Sequence, residues 1–186
     1  MELKKITKLL EKELESKRFE HTKGVEYTAA SLAIVYDVPI EKALYAGLLH
    51  DCAKGIPGDE QIKLCEKYDL PVSDVERDNP GLLHAKLGAY LAKTVYEVDD
   101  EEVLNAIKWH TTGRPAMTML EKIVFIADYI EPNRKMLDNM YEVRKLAFTD
   151  IDAAIKRVLG DTLKYLGEGT KAVDPMTKET FDYYNK

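Results

Sequence analysis

Nearly every segment of this chain places apolar residues at helical spacing, and no stretch alternates for long enough to build a sheet. Leu3, Ile6, Leu10 and Leu14 predict a first amphipathic helix. A second is expected from about His21 to Tyr36, with Val25, Thr28/Ala29, Leu32 and Val35/Tyr36 on one face. A third, small and apolar from Ala43 to Leu49, is stopped by Gly55 and Pro57. Ile62, Cys65 and Tyr68 mark a short helix, and Asp78-Asn79-Pro80-Gly81 is a turn. Leu83, Leu87, Leu91 and Val95 predict the next helix, followed by one with Val103, Ala106/Ile107 and His110 on one face. Leu120–Ile130 is the most apolar helix, with Asp128 in its middle. Leu137, Met140, Val143 and Ala147 continue the pattern, and a long helix over Ile151–Leu166 ends at Gly167–Thr170 before a short tail. At 186 residues, one all-α domain is expected.

The informative residues are the polar ones set into these apolar faces. The third helix carries an adjacent pair, His50-Asp51, into its end. Burying a histidine beside an aspartate is expensive unless partners satisfy both, and a divalent metal accepts a neutral imidazole and a carboxylate together. The chain has four histidines: His21, His50, His84 and His110. A lone histidine on such a face is usually a hydrogen-bonded structural residue, but here none of the four lies on a solvated stretch. Asp128, flanked by IVFIA and YI, needs a cation or several donors to be buried at all.

Composition removes several alternatives. A net charge of −6, from 27 basic and 33 acidic residues, argues against a nucleic-acid coat and means that an anionic substrate needs local cations or a metal. No run approaches the roughly 18 apolar residues of a membrane span, and the charged start MELKKITKLLEKELESKRFEH has no signal-peptide character, so a cytoplasmic protein is expected. Cys52 and Cys65 form no metal-type pair and are read as reduced core residues.

The order His21, His50-Asp51, His84, His110, Asp128 resembles that of HD-domain metal-dependent phosphohydrolases. From about Arg18 to Thr170 the chain is similar to the bacterial symmetrical bis(5'-nucleosyl)-tetraphosphatase branch. The likeness is carried by RFEHTKGVEYTAASLA, AGLLHDCAKG, LLHAKLGAYLA, AIKWHTTGRPAMTMLEKIVFIADYIEPNR and the GEGT turn, of which the Trp109–Arg134 stretch is the most specific. The resemblance implies a single HD-domain helical bundle over residues 1–186, with a metal-binding core at about 18–134 and a C-terminal helix and tail at 150–186. It implies iron, with manganese, cobalt or zinc as alternatives, and symmetrical cleavage of diadenosine tetraphosphate into two ADP. His21, His50, Asp51 and Asp128 would hold the metal. His84 and His110 stand where other HD proteins place ligands of a second metal; in this branch they are expected more often to face substrate phosphate or a bridging water.

Polyphosphate hydrolysis needs charge neutralised on phosphoryl oxygens and a water made nucleophilic, and a bound metal does both. Asp51 is placed to ligate or to take a proton, and His84, His110 and Lys54 complete the expected catalytic set. Lys54 is read either as a phosphate-facing ammonium or as a solvated helix-end lysine. Arg18 and Arg134, and less so Arg114, are candidate phosphate forks, with Gly169 and Thr170 of the GEGT turn offering backbone N–H groups unless that turn is only a helix cap. A nucleoside monophosphate, a dNTP or a guanosine alarmone is the alternative substrate, and a non-enzymatic nucleotide-binding regulator is the alternative class. Nucleotide substrate and ADP product are the expected partners, without nucleic acid or membrane; a homodimer is allowed.

Overall fold

In the computed structural model, which describes residues 1–167 and 173–186, the helices succeed one another without a strand among the described residues. They are α1 (Leu3–Glu13), α2 (Ser16–Val35), α3 (Ile40–Leu49), α4 (Gly58–Lys67), α5 (Asp74–Asp78), α6 (Leu83–Thr94), α7 (Glu101–Trp109), α8 (Met119–Ile130), α9 (Met140–Ala147), α10 (Ile151–Gly167) and α11 (Pro175–Tyr184), with a 3-10 turn over Pro80–Leu82 leading into α6. The all-α expectation holds. No helix among the described residues is long and apolar enough to cross a membrane.

The main core lies where α2 packs on α3 and α8 and where α7 packs on α3, α6 and α8. Its fully buried members include Leu32, Leu48, Leu49, Ile107, Ile123 and Ile126. A smaller cluster, Ala53, Cys65, Leu83 and Leu87, fills the space under α4 and α6, and α10 closes the far side against α8, α9 and α11. Both cysteines are free, as expected.

Several boundaries differ from the periodicity. The second helix begins at Ser16, and its inward stripe runs through Val25, Ala29, Leu32 and Ala33, which turns Val35 out to solvent. Val95 and Leu137 are exposed for a related reason: one follows the end of α6 and the other precedes α9. The third helix stops at Leu49 and continues to Ile56 only as successive three-residue turns, with Cys52, Lys54 and Ile56 donating to Leu49, Asp51 and Ala53. Asp128 lies in the last turn of α8 and not in its middle, because the helix begins at the Thr118–Glu121 capping box and ends at Ile130. The tail is a helix, α11, started by Asp174 capping Met176 N–H with Pro175 at its first position. Ser73 and Glu76 form a second capping box that starts the short α5.

Gly47 lets α2 and α3 approach closely. A Cβ there would lie 2.8 Å from Glu26 Cα, a backbone atom that cannot step aside. The contact sets the spacing between the helix that carries His21 and the one that ends at His50. Gly47→Ala should therefore cost about 1–3 kcal/mol of stability, seen as a lower urea midpoint at unchanged slope.

Candidate metal centre

Five helices bring six side chains together. His21 stands in the early part of α2, His50 and Asp51 leave α3, His84 enters α6, His110 caps α7, and Asp128 sits in the last turn of α8. All four histidines and Asp51 are buried, while the Asp128 side chain keeps 21% of its exposure.

Each imidazole is oriented by its outer nitrogen. His50 Nδ1 lies 2.7 Å from the Gly47 carbonyl, His110 Nδ1 lies 2.7 Å from that of Ile107, and His84 Nδ1 bonds the Gly81 carbonyl, in each case three residues back. A carbonyl oxygen only accepts, so Nδ1 carries the proton in all three. His21 Nδ1 lies 2.9 Å from Glu131 Oε1, a fully buried carboxylate. The four Nε2 atoms are thereby left as lone pairs pointing at one centre.

Asp51 divides that centre. Its Oδ2 lies 3.5 Å from His50 Nε2 and 3.8 Å from His21 Nε2, while its Oδ1 lies 3.2 Å from His84 Nε2 and 3.7 Å from His110 Nε2. Asp128 Oδ1 lies 3.0 Å from His21 Nε2 and 3.7 Å from His50 Nε2. Among the described residues three sets have ligand atoms mutually within 4.8 Å: His21, His50 and Asp51; His50, His110 and Asp128; Asp51, His84 and His110.

The donor set fits a divalent cation on an observation of its own. Nε2 of His21 and of His50 is buried without any hydrogen-bond partner, although carboxylate oxygens stand close by. Lone pairs facing carboxylates, with no proton between them, are what ligands of one ion present to each other. Burial raises the cost of ionising Asp51, whose Oδ2 accepts from Arg18 at 2.7 Å. Asp128 is held below the usual carboxylate range, against burial, by the Arg134 guanidinium. Burial lowers the His84 imidazole to about 4, so it is neutral near pH 7, and it lowers the Lys54 ammonium as well.

The expected cations are distributed unequally. Arg18 donates to Asp51 Oδ2 at 2.7 Å, and Arg134 donates to the Asp128 carbonyl at 2.8 Å and to its carboxylate. Lys54 Nζ lies 3.2 Å from both ring nitrogens of His84. Arg114 is held apart on buried Glu121, at 3.0–3.1 Å, and braces the loop before α8. Gly169 and Thr170 lie outside the described residues.

Three contributors were not foreseen. Glu131 orients His21 and also accepts from Asn133 N–H at 2.7 Å. Gly24 gives it room, since a Cβ there would lie 2.2 Å from Glu131 Oε2. Thr111 places its hydroxyl 3.1 Å from His110 Nε2 and 3.3 Å from His84 Nε2. A helix-end glutamate beside proline looks solvated in sequence, and only the contact across the fold with His21 reveals it.

Residues 18–133 match the HD domain family. The chain belongs to that family. This HD protein is 40% identical, over 95% of its length and 92% of the relative's, to the symmetrical bis(5'-nucleosyl)-tetraphosphatase of Bacillus subtilis. It is 35% identical to the protein of the same name from Staphylococcus aureus, covering 100% of this chain and 95% of that one. A crystal structure of a predicted HD superfamily hydrolase involved in NAD metabolism, from Clostridium acetobutylicum, matches it at a TM-score of 0.96 and 42% identity, covering 100% of this chain and 97% of that one.

The two halves of this arrangement should separate under mutation. Asp128→Ala is expected to lose metal by elemental analysis while remaining folded by circular dichroism, because the Asp128 side chain is part-exposed and its removal leaves only the half-exposed Arg134 without its partner. Glu131→Ala should keep the ion but weaken it by about 10–100-fold in a chelator competition, the effect of releasing an imidazole from its orienting partner.

Proposed function

We propose that the chain is a metal-dependent phosphohydrolase that splits diadenosine tetraphosphate symmetrically into two ADP. The observation that carries this is the proton-free cluster of four imidazoles and two carboxylates, edged by Arg18, Lys54 and Arg134. Likeness over the full chain to relatives named for that activity supports the substrate. An intact donor set also weighs against a non-enzymatic regulator, which would have no use for Asp128 in so apolar a helix.

In this reading His21, His50, Asp51 and Asp128 hold the first ion, and iron is the proposed metal. Imidazoles mixed with carboxylates form a borderline set that suits iron, manganese or cobalt and also admits zinc. A divalent ion held there neutralises charge on phosphoryl oxygens and makes a water acidic near neutral pH. We assign His84 and His110, with the second oxygen of Asp51, to a second ion. Their Nδ1 protons are already given to Gly81 and Ile107, so their inner nitrogens accept and have no proton to offer a phosphate oxygen.

The remaining residues act on the substrate directly. Arg134 and Arg18 present guanidinium groups at the carboxylates, where a phosphate entering the centre meets them. Lys54, half-buried against His84, brings an ammonium to the same place and is the group best placed to stabilise the departing phosphate. The Thr111 hydroxyl orients whatever sits between His84 and His110.

Chromatography of the products tests the reading. ADP as sole product is expected; AMP plus ATP, or faster cleavage of a nucleoside monophosphate, a dNTP or a guanosine alarmone, overturns it. Elemental analysis should find two metals per chain, falling to one in His110→Ala; one metal in the native chain would return His84 and His110 to a water- or phosphate-facing role. Arg134→Ala should lower kcat/KM by roughly thirtyfold, about 2 kcal/mol, for the loss of one charged contact to phosphate.

A further inference from the structure

The three cations at the centre account for gripping phosphate but not for gripping a nucleoside, and a cut at the middle of a tetraphosphate requires one half to be held in register. A cavity of about 530 Å³ lies along the groove between α6 and α7, within the 300–1,000 Å³ range usual for small-molecule sites. Ala89 and Leu104 form its apolar walls, Tyr90 and Trp109 add aromatic surface, and Asn105 adds an amide. Tyr90 is itself backed by Tyr68, the rings stacked with centroids 4.4 Å apart, which fixes its position.

Charge selects the kind of ligand. The lysines around this groove are already occupied: Lys86 pairs with Glu76 at 2.6 Å, Lys93 with Glu101 at 3.0 Å, and Lys108 lies over the Trp109 ring. With two of these three lysines paired to carboxylates and the third resting on a ring, the cavity has little pull on a free phosphate, whereas apolar walls, aromatic faces and one amide suit a neutral heterocycle. Thr111 joins the cavity to the metal centre, since it lines the one and reaches the inner nitrogens of His84 and His110 in the other.

We infer that this cavity is the nucleobase subsite, taking the purine and ribose of one half of a nucleotide whose phosphates lie at the histidine–aspartate centre. The assignment rests on the phosphohydrolase reading for its ligand. The faces of Trp109 and Tyr90 turned away from Lys108 and Tyr68 supply stacking surface, Asn105 reads a base edge, and Thr111 marks the passage from base to phosphates.

Trp109 is the only tryptophan in the chain, so its emission reports on the cavity directly. The metal-loaded chain, excited where adenine does not absorb, is titrated with ADP, adenosine and inorganic tripolyphosphate. Saturable emission changes with ADP and adenosine, and none with tripolyphosphate, are expected. No change with ADP, or an equal change with tripolyphosphate, overturns the subsite. Ala89→Phe, which fills the cavity from α6, should abolish the ADP response; a response at native affinity in a folded variant also overturns it. Should that variant fail to fold, the titration of the native chain decides alone. The product assay stands apart: ADP formation without a Trp109 response removes the subsite and leaves the hydrolase, whereas a Trp109 response without ADP formation removes the hydrolase and leaves a nucleoside site.

Discussion

Where four imidazole protons go determines what the centre of this molecule can be. Three are taken by carbonyls three residues back along the chain and the fourth by a buried glutamate, so every inner nitrogen is a bare lone pair. Set among two carboxylates, those nitrogens make a buried cluster rich in acceptors, relieved among the described residues at its edge by Arg18, Arg134, Lys54 and Thr111. Such a cluster is costly to form by folding alone, and a cation is what repays it. The helices serve the same end: His50 and His110 follow the last residues of α3 and α7, His84 opens α6, Asp128 lies in the last turn of α8, and His21 projects from the second turn of α2.

The helix pattern and the six inward polar residues were legible because both are local. Apolar spacing marks which face points inward, and a histidine or aspartate on that face has to be explained by something. His21, His50, Asp51, His84, His110 and Asp128 all carry that signal and all converge. Glu131 does not, because its meaning depends on His21 and on the missing Cβ of Gly24, more than a hundred residues earlier. Thr111 is silent for a similar reason: a threonine after a helix is ordinary until its hydroxyl is found between two imidazoles. Helix α11 was missed although its start was written plainly, an aspartate cap followed by proline at Asp174-Pro175, since a short polar tail has too few apolar residues to show a period.

The arginines illustrate what residue type alone leaves open. Arg18, Arg114 and Arg134 flank ligand segments in the sequence in much the same way. In the fold two of them reach carboxylates of the centre, and the third is turned onto Glu121, where it ties the loop before α8 to the helix that ends with Asp128. A guanidinium near a site in sequence is thus sorted into binder or brace by where the nearest buried carboxylate lies.

The positions of His50 and His110 carry one more consequence. Each caps the C-terminal end of its helix, α3 and α7. Aligned peptide dipoles leave about half a negative charge at such an end, so two helices add their negative poles to the two aspartates. Against these stand the positive pole of α6, which begins one residue before His84, and the edge cations Arg18, Arg134 and Lys54. A cation held there would reverse the sign of that local field, so on the phosphohydrolase reading metal and polyphosphate are expected to raise each other's affinity.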